Sequence, residues 1–181
     1  AAISCSRPMT RVARRGRPSV VLASGDPFFF GVGATLSRRI DPAEMHVIPA
    51  PSSFSLAASR LGWPLQDVTV VSLHGRPVDL IRPHLQPGRR VLALTSDEKG
   101  PAALARLLAA TGFGESRLTV LEALGGERER LTRHVAAHFS DDVFHSLNVC
   151  GVEVAAGQDA RILPLASGLD DALFEHDGQI T

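Results

Sequence analysis

The chain has 181 residues, 44% of them apolar, and its 19 Lys and Arg balance 19 Asp and Glu to a formal charge of zero. That length and apolar share suffice for a buried core and exclude a disordered polypeptide. Without a basic excess, nucleic acid and anionic membrane surfaces are poor partners, so any anion must be met by local charge.

In chain order, residues 19–23 (SVVLA) form a short β-branched apolar run that ends at Ser24-Gly25-Asp26-Pro27, the pattern of a buried strand delivered into a tight turn. A helix is expected over 31–39, and a second strand over 45–48, closed by Pro49-Ala50-Pro51. Ser52 or Ser53 can then N-cap an Ala-rich helix running to Leu61 and stopped by Gly62 and Pro64. A third apolar run, 68–73, is broken by His74-Gly75-Arg76-Pro77, which places a domain boundary there. Beyond it the pattern predicts a helix over 78–85, a strand over 90–94 and a helix over 101–110 stopped by Gly112. A strand over 118–121, a helix over 127–138 and a strand over 147–154 follow. Strands separated by helices imply βαβ units and largely parallel pairing. The resulting division is an N-terminal α/β domain at 1–73, a C-terminal α/β domain at 74–156 and a tail at 157–181.

Several residue groups can carry chemistry. In an open α/β sheet, ligands bind beyond the carboxyl ends of strands, where turns and helix starts present free N–H groups. Gly25 there permits close backbone approach, and Asp26 offers a carboxylate that either meets a ligand or caps the turn. Ser52 and Ser53 likewise either bond a ligand or cap the following helix. Glu127 and Glu129 suit the positive end of a helix, and Gly125-Gly126 reads as a close-approach turn. His134 and His138 stand one helical turn apart, but no Glu or Cys completes a ligand set, so no metal site is expected. Cys5 and Cys150 form neither a disulfide ladder nor a Cys-x-x-Cys pair, which fits a reducing cytosol. No run of about 18 apolar residues occurs and residues 1–16 lack a signal-peptide core, so a cytoplasmic protein is expected. The absence of a nucleophile elbow, a Walker loop and a G-x-G-x-x-G fingerprint argues against hydrolase, kinase and dinucleotide-binding functions.

Four blocks in order and spacing resemble the tetrapyrrole methylases, most closely those acting on precorrin-6Y, over residues 16–178. They are Leu22-Ala23-Ser24-Gly25-Asp26-Pro27 with Gly31, Pro49-Ala50-Pro51-Ser52-Ser53, Ser72-Leu73-His74-Gly75-Arg76, and 121–130 with its Leu-Gly-Gly-Glu-Arg core. The resemblance implies a class III methyltransferase fold, two α/β domains with a cofactor cleft between them. It implies S-adenosylmethionine as methyl donor, leaving S-adenosylhomocysteine. The cofactor would be held by Gly25, Asp26, Phe29, Ser52, Ser53 and Phe54, and by residues near Leu94-Thr95 and Ala123-Leu124. His74 and Arg76 would face a precorrin tetrapyrrole, with His74 or a substrate carboxylate as general base for C5 methylation. Family members begin with a strand and a Gly-x-Gly loop absent from residues 1–16, and 167–181 resembles a linker into a second methyltransferase. The chain is therefore expected to be part of a longer polypeptide fused to a C15-methylating, decarboxylating domain, and to form a homodimer. The competing expectations are a sibling methylase acting at another ring position and a non-catalytic tetrapyrrole-binding module.

Overall fold

The computed structural model describes residues 18–140 and 142–165. The chain divides into two units, Ala1–Ser52 and Ser53–Thr181. This division falls earlier than the boundary expected at His74, for a reason visible in the sheet of the second unit.

In the first unit the single α-helix among the described residues is α1 (Val32–Leu36), shorter than expected, because the chain leaves the helix in a turn after Ser37. The strands expected at 19–23 and 45–48 are irregular chain without a ladder. Val20, Leu22 and Ile48 are 87%, 79% and 77% exposed, so neither run is buried. Apolar β-branched residues favour extended backbone, but a strand exists only where its N–H and C=O groups meet a partner. No partner strand lies beside them among the described residues.

The second unit is a mixed five-stranded sheet with helices on both faces. It begins with α2 (Ser53–Leu61), which ends as the residues predict. Gly62 takes the left-handed conformation and the Trp63 N–H returns to the Ala58 carbonyl, a Schellman-type stop. Then come β1 (Val68–Ser72), a 3-10 helix at Val78–His84 where an α-helix was expected, and β2 (Arg90–Leu94). Pro83 inside that segment removes a donor and prevents a regular α-helix. α3 (Gly100–Ala110) and β3 (Arg117–Glu122) follow as the periodicity indicates.

The helix expected over 127–138 is instead β4 (Arg130–Val135) with a 3-10 turn at Ala136–His138. Leu131, Thr132 and Val135 suit a strand, and the turn after β3 folds the segment back against β3, so pairing overrides the helical reading. β5 (Asn148–Glu153) completes the sheet in the order β1-β2-β5-β3-β4. Only β1 and β2 pair in parallel; the other three pairings are antiparallel, against the largely parallel sheet expected. No helix separates β3 from β4, so the crossover that parallel pairing needs is missing there. Since β1 precedes His74 and β2 follows it, one sheet spans the expected boundary.

Strand alternation fills both faces. Val91, Ala93, Leu118, Val120, Cys150 and Val152 pack under α3 with Leu104, Ala105 and Leu108. Leu92, Leu121 and Val149 point to the opposite face, where Phe54, Ala57 and Ala58 of α2 cover them.

Candidate functional site

The strand directions decide which loops share an edge. β1, β2 and β3 run one way, and β5 and β4 run the other. The turns after Ser72, Leu94 and Glu122 therefore lie along one edge of the sheet, together with the start of β5. Every second-unit residue of the expected site that ends or follows a strand lies there: His74, Arg76, Leu94, Thr95, Ala123 and Leu124.

The first two turns are joined. The Leu73 N–H bonds the Leu94 carbonyl at 2.8 Å, the Ser96 hydroxyl donates to the Leu73 carbonyl at 3.0 Å, and the Gly75 N–H donates to that hydroxyl at 2.9 Å. Between them opens a cavity of about 320 Å³, lined among others by Arg76, Thr95, Ser96, Lys99 and Gly100. Among the described residues neither Arg76 nor Lys99 has an ion-pair partner, whereas the Asp97 carboxylate in the same lining accepts the Lys99 N–H at 2.9 Å. Two cations beside the first turn of α3 make this wall suited to an anionic group. Exposed His74 is not part of it. Gly100 is dictated by close approach: a Cβ there would lie 2.5 Å from Thr95 Cβ.

The turn after β3 is held by two acid–base pairs. Glu122, only 3% exposed, accepts Arg130 at 2.7 and 3.2 Å and the His145 N–H at 2.6 Å. The bond to Glu122 raises the Arg130 pKa. Glu129 accepts the Arg60 guanidinium of α2 at 2.5 and 3.2 Å and the Gly125 N–H at 2.7 Å. The hydrogen bond from Arg60, then that from Gly125, holds its carboxyl below the ordinary value of 4.5. Glu129 thus clamps a turn instead of facing a helix dipole. Ala123 has φ of +46°, a left-handed conformation uncommon for a residue with a Cβ, and its N–H bonds the Leu147 carbonyl at 2.9 Å. Leu124 packs against the α2 face of the core.

In the first unit, Asp26 closes its own turn: its Oδ1 accepts the Phe28 N–H at 2.8 Å and its carbonyl the Phe29 N–H at 3.2 Å. Gly25, with φ of +69°, lies against the second loop, so a Cβ would meet the Pro51 carbonyl oxygen and Ser52 Cα at 3.3 Å each. The structure thereby brings together the Gly25 and Ser52 blocks, which sequence spacing left apart. Phe28, Phe29 and Phe30 are exposed side by side, and Phe30 has φ of +54°. Ser52 is buried at 8%. Ser53 begins α2, while the Phe54 side chain is 2% exposed in the core and leaves only backbone for a ligand.

Other sequence candidates are not part of this edge chemistry. His134 is on a strand, bonded to the Thr132 hydroxyl at 3.0 Å and stacked near Phe139 at 4.6 Å, so the one-turn spacing to His138 does not exist. Among the described residues no three His, Cys, Asp or Glu converge as metal ligands. Burial, with the nearby Glu122 charge, pushes the Cys150 thiol up and removes thiolate chemistry. Cys5, residues 1–16 and residues 167–181 lie outside the described residues. The sequence reading missed Ser96, Lys99 and Asn148. Lys99 carried one signal, as the chain's only lysine, whereas a single Asn entering a strand carried none.

Turns gathered beyond the strand ends of a mixed sheet flanked by helices define an α/β fold, and the chain belongs to the tetrapyrrole (corrin/porphyrin) methylases, whose family model matches residues 5–139. It is 71% identical over 170 residues to the decarboxylating precorrin-6Y C(5,15)-methyltransferase of a Sinorhizobium species, covering 94% of this chain and 41% of that protein. It is 35% identical over 119 residues to the cobalt-precorrin-7 C(5)-methyltransferase of Salmonella typhimurium, covering 66% of this chain and 58% of the relative. The fold matches a uroporphyrin-III C-methyltransferase from Thermus thermophilus, solved with S-adenosylhomocysteine, at a TM-score of 0.55 and 20% identity, covering 82% of this chain and 67% of that one. Among the described residues no helix is long and apolar enough to cross a membrane.

Proposed function

We propose that this chain carries the S-adenosylmethionine-dependent methylation of C5 on a precorrin macrocycle. The two relatives share C5 methylation in their names, and only the longer one adds C15 methylation and decarboxylation. This chain spans 41% of that longer relative. The shared stretch is thus assigned the shared chemistry, and the C15 and decarboxylating steps belong to a fused partner domain. The observation that carries the reading is the gathering of His74, Arg76, Thr95 and Ala123 at one sheet edge.

The cofactor supplies an electrophilic methyl group on a sulfonium. Residues with the chemistry to meet such a cofactor are, in the second unit, Ser53, the Phe54 backbone, Leu94, Thr95, Ala123 and Leu124; in the first unit, taken by itself, they are Gly25, Asp26, Phe29 and Ser52. Backbone N–H and C=O groups at such turns suit the amino-acid and ribose groups of this kind of ligand. Methyl transfer needs no protein nucleophile. The protein excludes water and holds the ring carbon in line, which can contribute on the order of 7–11 kcal/mol in ideal cases. Arg76 engages a substrate carboxylate, and His74 or a substrate carboxylate takes the proton released at the ring. A homodimer is the assembly expected of this family.

The test incubates the whole protein with the precorrin and S-adenosylmethionine labelled in its methyl group, followed by mass spectrometry and NMR. A label at C5 is expected, beside one at C15 from the fused domain. No label at C5 with one at a ring position other than C15 would favour a sibling methylase, and cofactor-independent macrocycle binding without transfer at C5 would favour a binding module.

A further inference from the structure

Asn148 is the first residue of β5 and is 3% exposed. Its side-chain amide is fully used. The oxygen accepts the hydroxyl of buried Thr95, and the nitrogen donates to the Asp97 carbonyl at 3.0 Å and the His145 carbonyl at 2.8 Å. Two carbonyl partners and one hydroxyl fix which end of the amide points where. β5 lies between β2 and β3, so its first residue adjoins the ends of both.

On one side Asn148 grips the turn after β2 at a side chain and at a carbonyl. On the other it holds the 145–147 turn, which is itself bonded to the end of β3. The His145 N–H donates to Glu122 at 2.6 Å, the Leu147 carbonyl accepts the Ala123 N–H at 2.9 Å, and the Leu147 N–H is held by His145 Nδ1 at 3.0 Å. A buried amide with every donor and acceptor engaged has no alternative arrangement of equal energy. Both turns are therefore set by one side chain.

We infer that Asn148 is a positioning residue that couples the Thr95 turn to the Ala123 turn, so that the two move or hold together. The coupling stands on this geometry; its effect on cofactor affinity rests on the function proposed above.

The test uses the whole protein with S-adenosylhomocysteine as probe. Asn148→Asp keeps the volume but turns an oxygen toward the Asp97 and His145 carbonyls. Backbone amide exchange is expected to quicken together at 95–99 and 123–126 without ligand. The S-adenosylhomocysteine Kd should rise about tenfold, the scale of one or two lost buried hydrogen bonds. Thr95→Val removes only the hydroxyl and should quicken exchange in both turns, whereas Thr95→Ser, which keeps it, should restore both. In an Asn148→Ala background, which removes the oxygen that accepts the hydroxyl, Thr95→Val should add nothing further. Quickening confined to one turn, additive effects of the two substitutions, or an unchanged Kd would overturn the inference. If Asn148→Asp does not fold, the Thr95→Val and Thr95→Ser pair decides by the same exchange readout. Failure of the unsubstituted protein to bind the probe would sink the cofactor reading, while amide exchange would still judge the coupling.

Discussion

Glu129 shows how a single carboxylate sets a local geometry. Its bonds from Arg60 and Gly125 favour the charged form, so its folded pKa lies below the ordinary 4.5. A depressed folded pKa contributes stability that is present above the unfolded value and is lost as pH falls through the folded one. Glu129→Gln should therefore flatten the fall in stability below about pH 4.5 and leave its shape near neutrality unchanged, as urea midpoints measured across pH would show. Because the pair is solvent-accessible, salt should weaken the same contribution. The sequence reading assigns Glu129 to the start of a helix. Its true partners, 69 positions away in Arg60 and four away in Gly125, are set by folding.

At the scale of the element, α2 has two tasks that its sequence does not separate. Its Ser53 start was legible as a cap or ligand contact, and its Leu61-Gly62 end was legible as a stop. Phe54 is instead the core anchor of the helix against Leu92, Leu121 and Val149. Phe54→Ala should cost about 3–5 kcal/mol of stability in denaturant unfolding, the range for a buried aromatic. A smaller loss combined with a large loss of cofactor affinity would show a ligand contact instead. β4 illustrates the opposite failure. Its arginines and histidine match a charged helix as well as an exposed strand, because an edge strand has one face in solvent and little alternation to read. The β3 partner decides the outcome.

For the whole molecule, a ligand that binds only the folded protein must stabilise it. S-adenosylhomocysteine at a hundred times its Kd should add about 2.7 kcal/mol, seen as a rise in Tm by calorimetry. No rise in the whole protein would remove the cofactor assignment. The apolar runs that became β1, β2, β3 and β5, the α3 helix, and the glycine turns between them were all determined by the sequence itself, since each depends on residues close along the chain. So was the family resemblance, which rests on ordered short motifs. Tertiary structure alone decided the antiparallel placement of β5 and β4, the union of β1 with β2 across His74, and the edge where His74, Arg76, Thr95 and Ala123 gather. It alone decided the role of Asn148, whose bond to Thr95 joins residues 53 positions apart. Local preference is written in neighbouring side chains, but pairing between distant segments depends on which hydrogen-bonding edges and apolar faces the folded chain brings together.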